Sequence, residues 1–167
     1  MTRPAASSPS LPPDDPIGMQ SFALLLRRMN AEFHRIAQEF AQVHGLHLTD
    51  VQALIAILDA ENTPPGQSAG PMTPGRLARH MNLTSGATSA CLDRLEAAGH
   101  IRRVRAADDR RVVHLHYAEA GRRVAREYFR PLATATDEAR SHFTPEQLHT
   151  VVDFLARMNR QLEDIRS

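Results

Sequence analysis

"TPGRLARHMNLTSGATSACLDRLEAAG", residues 73–99, decides the fold. Thr73 followed by Pro74 is a helix start: a hydroxyl cap, then a proline at the first helical position, where its missing N–H costs nothing. The helix that begins there should end near Met81. After Asn82 and Leu83 a second cap, Thr84, opens another helix with Ala87, Cys91, Leu95 and Ala98 on one face, and Gly99 stops it. Two short helices joined by a tight turn form a helix-turn-helix unit.

Downstream, Ile101 to Arg105 and Val112 to Tyr117 read as strands, with residues 106–111 as the loop between them. The stretch "ADDRRVVHLHYAEAG", residues 107–121, sets Asp108 and Asp109 against Arg110 and Arg111 at the tip of this hairpin. A hairpin following two short helices is the element order of a winged helix-turn-helix. Upstream, Thr49-Asp50-Val51-Gln52 reads as a capping box opening a helix through about Asp59, and "ENTPPGQSAGPM", residues 61–72, is a breaker-rich loop.

Both ends of the chain carry long apolar seams. Phe22, Leu26, Met29, Phe33, Ile36, Phe40 and Val43 follow one another in steps of four and three; Leu148, Val151, Leu155, Met158, Leu162 and Ile165 do the same after a second capping box at Thr144-Pro145-Glu146-Gln147. Between them, residues 119–140 carry Val124, Tyr128, Leu132 and Ala135 at helical spacing, with Pro131 expected to bend or interrupt the run. A chain this size has little core to spare for three long helices flanking a wing domain, so the terminal seams are expected to pair in a homodimer. The first sixteen residues, "MTRPAASSPSLPPDDP", are rich in Pro and Ser and read as a disordered tail.

The expected fold class is therefore mainly α with a small β-hairpin wing: a winged helix-turn-helix with long N- and C-terminal dimerisation helices. Its divisions are a disordered tail over 1–16, an N-terminal dimerisation helix over 17–48, the winged helix-turn-helix DNA-binding domain over 49–118 and C-terminal dimerisation helices over 119–167.

Composition narrows the function. The 167 residues and 42% hydrophobic content suit one compact domain or a small domain with extended helices. A net charge of +1 excludes a bulk polycation, so a nucleic-acid surface must be local. Every basic side chain other than histidine is Arg, which suits phosphates and base edges and equally suits a GC-rich genome. The charge is indeed local: between Arg76 and Arg111, Arg76, Arg79, Arg94, Arg102, Arg103, Arg105, Arg110 and Arg111 face only Asp93, Glu96, Asp108 and Asp109. An excess of this kind, doubled in a dimer, makes affinity for DNA fall steeply with salt. The single Cys rules out an internal disulfide, and with no secretory h-region or bilayer-length apolar run the expected compartment is the cytoplasm.

"LTDVQALIAIL", "MTPGRLARHMNLTSGATSACLDRLEAAGHIRR" and "DDRRVVHLHYAEAG" together resemble successive segments of the MarR family of bacterial transcriptional regulators, from about residue 17 to the end. "LDRLEAAGHIRR" followed by "DRR" carries most of the likeness. The resemblance implies a dimer built from the terminal helices, a second helix of the motif entering the major groove and a wing arginine in the minor groove. It matches Arg111 to that arginine, with Arg110 as runner-up, and Asp109 to the acid that orients it. It also implies control by small aromatic or phenolic effectors or by thiol oxidation. A guanidinium suits a narrow A·T-rich groove, where the negative potential is enhanced; a plain Asp–Arg brace of the turn is compatible with the same residues.

The reading helix departs from the family. Ala90 stands where many members have Arg, leaving Ser85, Thr88 and Ser89 on the polar face, and hydroxyls discriminate weakly between bases. Specificity should then rest more on the wing and on DNA shape. Arg94, within the "DRLE" match, is expected to form an intramolecular ion pair with nearby acids. Tyr117-Ala118 replaces the family's usual Leu-Thr and removes a hydroxyl cap, so the next helix should start raggedly or borrow another cap.

The expected function is a sequence-specific regulator, a repressor binding a palindromic DNA operator as a homodimer and released by a small-molecule effector, with no cofactor and no metal. A metal- or redox-responsive regulator of the same fold is the alternative. His44 with His47 and His114 with His116 are the close histidine pairs, without adjacent Cys or carboxylate ligands at recognisable spacing, and Cys91 sits in an apolar stripe without a second Cys to resolve a sulfenic acid. An enzyme is not expected: the chain has no Gly-rich phosphate loop, nucleophile elbow or zinc-protease helix. A wing domain that binds only protein is a further alternative, since fold alone does not fix function.

Overall fold

The computed structural model describes residues 15–63 and 70–166. Most of the expected N-terminal tail (residues 1–14) and residues 64–69 of the expected loop lie outside the described residues. The chain forms two compact units that divide between Ala118 and Glu119.

The first unit begins with α1 (Met19–Val43), α2 (Leu48–Asn62), α3 (Pro74–Met81) and α4 (Ser85–Ala97), followed by the antiparallel hairpin β1 (Ile101–Arg105) and β2 (Val113–Tyr117). Helix α2 is its central element. Val51, Ala53, Leu54, Ala56 and Ile57 are all buried, so this helix is enclosed on more than one side. Around it close Phe40 and Ala41 of α1, Leu77 of α3, Cys91, Leu92 and Leu95 of α4, and Ile101, Leu115 and Tyr117 of the hairpin. In the hairpin Ile101 pairs with Tyr117 and Arg105 with Val113, and β2 is further tied down by the Leu115 N–H, which donates to the Met72 carbonyl at 2.8 Å.

Local chemistry sets the ends of the motif helices as the sequence anticipates. Thr73 accepts from the Arg76 N–H and Thr84 from the Ala87 N–H through their hydroxyls. Asn82 takes the left-handed conformation in the turn between α3 and α4, at φ 52°, and Gly99 takes it after α4, at φ 73°.

The start of α2 differs from expectation. His47 is its N-cap, and the Asp50 carboxylate accepts the His47 N–H at 2.9 Å, so the box-closing acid is Asp50 and Thr49 lies within the first turn. A carboxylate at this position both accepts an orphan N–H and favours the positive end of the helix dipole. The helix also runs to Asn62, three residues beyond the expected end, which places Glu61 on it.

The buried stripe of α4 is Thr88, Cys91, Leu92 and Leu95, while Ala87 and Ala98 are exposed. The expected and observed stripes share Cys91 and Leu95. The larger apolar surface of Leu92 turns the helix toward itself in preference to two alanine methyls.

The second unit is a pair of helices, α5 (Glu119–Ser141) and α6 (Pro145–Arg166). Helix α5 runs through Pro131, so of the expected bend or interruption the interruption does not occur. Proline removes one N–H and one ladder bond, and a helix of 23 residues survives that loss. The box before α6 forms as read: the Gln147 side-chain carbonyl accepts the Thr144 N–H at 2.8 Å, and the Thr144 hydroxyl accepts the Gln147 N–H at 3.3 Å. Val151, Phe154, Leu155 and Leu162 of α6 are exposed, as are Phe22, Leu25, Met29 and Phe33 of α1.

Candidate nucleic-acid interface

Helix α4 presents Ser85 and Ser89 to solvent. Thr88, expected beside them, is buried, and its hydroxyl donates to the Thr84 carbonyl at 2.9 Å. A threonine can satisfy its hydroxyl on the preceding turn while its methyl packs inward, which is why its polarity alone places it on the wrong face. The polar surface of α4 is therefore narrower than the spacing suggests.

At the wing tip Asp109 and Arg111 share one side of the loop. The Asp109 carboxylate accepts from the Arg111 backbone N–H at 2.9 Å and from Nε and Nη2 at 3.2 Å each. The Arg111 side-chain bonds, and after them its backbone bond, hold the Asp109 carboxyl below the ordinary range. The Arg111 side chain is nevertheless 91% exposed, so the guanidinium is oriented but uncovered. Arg110, next to it, is exposed as well.

The surplus of arginine divides into two sets. Arg103 of β1 is held by α4: its guanidinium donates to Asp93 at 2.7 Å and to Glu96 at 3.0 Å, and its backbone N–H donates to Glu96 at 3.2 Å. Arg94 forks onto Asp50, with Nε at 2.9 Å and Nη2 at 2.7 Å. The expected ion pair of Arg94 thus forms, but with an acid 44 residues away, because the acids nearest in sequence are taken by Arg103. Arg79, Arg102, Arg105 and Arg110 are exposed, and their guanidinium groups make no ion pair or hydrogen bond among the described residues. Sequence reasoning does not single out Arg79, Arg102 and Arg105. Their surplus is visible as a count, but which arginines are consumed internally depends on tertiary pairing.

The histidine pairs have structural surroundings. His114 and His116 share one face of β2, and His116 Nδ1 lies 3.1 Å from Glu61 Oε1. His44 stacks at a tilt on Phe40. No group of three or more His, Cys, Asp or Glu side chains among the described residues is placed to hold a metal ion. Cys91 is buried, and burial, followed by the Asp50 carboxylate, pushes its thiol up to about 12. No helix among the described residues is long and apolar enough to cross a membrane.

The model of the MarR family matches residues 67–113, the span from the loop before α3 through the wing tip. Over a longer span of 146 residues the chain is 30% identical to an uncharacterized HTH-type transcriptional regulator, YcgE of Bacillus subtilis (strain 168), covering 85% of this chain and 89% of the relative. The chain belongs to the MarR family of transcriptional regulators.

Solved structures carry the same fold. A mutant of MepR from a multidrug-resistant S. aureus clinical isolate aligns with a TM-score of 0.67 at 16% identity, covering 84% of this chain and 96% of that one. A MarR family protein from Bacillus stearothermophilus aligns at 0.60 and 22% identity, covering 86% and 94%. Streptococcus pneumoniae FabT, in a structure with DNA, aligns at 0.54 and 24% identity, covering 86% and 99%. The mainly helical winged helix-turn-helix with a two-stranded hairpin is thus the MarR fold.

Proposed function

We propose that this MarR protein is a sequence-specific DNA-binding regulator that binds a palindromic operator as a homodimer, acts as a repressor and is released by a small aromatic or phenolic effector. The observation that carries the DNA-binding part is the wing tip, where Asp109 orients a 91% exposed Arg111 guanidinium. In this reading Arg111 enters the minor groove, Arg110 contacts the adjacent backbone, and Ser85 and Ser89 face the major groove. Arg79, Arg102 and Arg105 neutralise phosphates. Thr88 contributes to packing only.

Dimerisation is supported by the apolar stripes that α1 and α6 each leave uncovered, since contiguous exposed apolar surface marks an association site. Replacing Leu155 and Leu162 by Asp should put charge into that interface and abolish both dimer and DNA binding. A wild type that sediments as a monomer at all concentrations would refute it. The repressor role and the effector rest on the family likeness.

Selection of bound duplexes from a random DNA pool tests the central claim. Enrichment of an inverted repeat with A·T-rich flanks is expected; recovery of no enriched sequence would point to the protein-binding alternative.

A further inference from the structure

Asp50 is fully buried, with no exposed surface at all. Such a carboxylate needs donors on both oxygens, and it has them from α4 and from the cap of its own helix. Oδ2 accepts from the His47 N–H and from Arg94 Nε, each at 2.9 Å, and Oδ1 accepts from Arg94 Nη2 at 2.7 Å.

Cys91 and Arg94 stand three residues apart on α4, so they project from one face, nearly one turn apart. The forked arginine fixes the plane of the guanidinium as well as its distance. Two parallel bonds from one guanidinium, held in a fixed plane, resist rolling of the helix as a single bond does not. The remaining inward contacts of α4, through Leu92 and Leu95, are apolar and non-directional. Ser89 lies about 160° and Ser85 about 120° around the helix from Cys91, at roughly 100° per residue. What Asp50 holds inward therefore determines what α4 presents outward. The same helix carries Asp93 and Glu96, which grip Arg103 of β1, so the roll of α4 is passed on to the wing.

We infer that Asp50 is the positioning residue of the reading helix: through the forked Arg94 it sets the roll of α4, and through α4 and Arg103 the seat of the wing, and so determines operator selectivity. This rests on the reading of α4 and the wing as the DNA-contacting elements.

The test uses the full-length dimer, the operator obtained by pool selection and a random duplex of equal length, with Asp50→Asn and Arg94→Lys, at a temperature where circular dichroism shows each variant folded. Asp50→Asn should lower operator affinity about tenfold or more, the loss typical of one missed base-pair recognition. Affinity for the random duplex, set by the unpaired arginines, should stay within about twofold. Arg94→Lys, which keeps the charge but not the fork, should reduce the operator-to-random ratio in the same direction.

A folded Asp50→Asn with the wild-type ratio overturns the inference. Should Asp50→Asn fail to fold, an Arg94→Lys dimer with the wild-type ratio overturns it in its place. A wild type that selects no operator removes the DNA reading instead.

Discussion

The molecule contains two Asp–Arg pairs with nearly the same atoms and opposite surroundings. Asp50 and Arg94 meet across 44 residues of chain, with the acid fully enclosed and the arginine side chain 36% exposed. Asp109 and Arg111 meet across a two-residue step, with the acid 39% and the arginine 91% exposed. A buried carboxylate without its partner has nowhere to find compensation, whereas an exposed one exchanges its partner for water. The inner pair is consequently a condition of the fold, and the outer pair adds little to stability and serves to aim a guanidinium. Burial, more than chemistry, separates what the two pairs contribute to the fold.

The sharpest way to break this comparison is to remove the arginine from each pair and follow stability. Arg94→Ala strands the Asp50 charge where water does not reach, and breaking a buried pair in this way should cost about 3 kcal/mol, the lower end of the usual range because Arg94 is itself partly solvated. Asp50→Asn should cost less, since the freed guanidinium can turn to water. Urea unfolding with an unchanged m-value measures both. An Arg94→Ala protein as stable as wild type would show that the carboxylate is not enclosed as described.

The same contrast explains what was legible from the chain. Caps at Thr73, Thr84 and Thr144 and the stop at Gly99 depend on residues one to four positions apart, so the element order and the wing followed from local pattern. The Asp109–Arg111 brace was legible for the same reason. The Asp50–Arg94 pair was not, because an arginine beside Asp93 and Glu96 gives no sign that its partner sits at the start of another helix. Thr88 failed for a related reason: a residue with one polar and one apolar branch takes its direction from the neighbours that packing supplies.

Binding comes next in size. Arg111→Ala should weaken operator binding by about 1–3 kcal/mol and flatten the preference at flanking A·T positions, because one lost insertion removes both attraction and shape readout. Arg102→Ala or Arg105→Ala should instead weaken all duplexes alike and lower the salt slope by about one for each phosphate no longer neutralised. Titrations at several salt concentrations separate the two patterns. An Arg111→Ala dimer with unchanged affinity and selectivity would end the proposed role of the wing.

Proton uptake extends the contrast between inside and outside. His100 is buried, its Nδ1 has no hydrogen-bond partner among the described residues, and burial, followed by the nearby His44, holds its imidazolium below the ordinary histidine range. The unfolded chain takes up this proton near pH 6.5 while the folded one resists it, so stability should fall as pH drops below about 6.5, by up to about 1.4 kcal/mol per unit until the folded group titrates. His100→Leu should flatten that segment. For Asp50 burial raises the carboxyl, but Arg94, the His47 N–H and Cys91 together outweigh it and leave it below the usual range. Its contribution is therefore present above about pH 4 and is lost as pH falls through the folded value. A wild type whose stability is flat from pH 7.5 to 5.5, with His100→Leu indistinguishable, would refute the histidine part.

The smallest effect is expected from Asp109→Ala. It removes the acceptor that orients Arg111 but leaves the arginine in place, in a loop where water already reaches both partners. Thermal melting should therefore be unchanged, in contrast with any change at Asp50. Operator affinity should fall in the same direction as for Arg111→Ala but by less, because a freely turning guanidinium still enters the groove at an ordering cost paid on binding. The double variant Asp109→Ala with Arg111→Ala should match Arg111→Ala alone, since an acceptor whose only task is to aim Arg111 has no effect once that side chain is gone. If the two losses add in full, Asp109 acts on DNA binding independently of Arg111, and the pair is not the aiming device that its geometry describes.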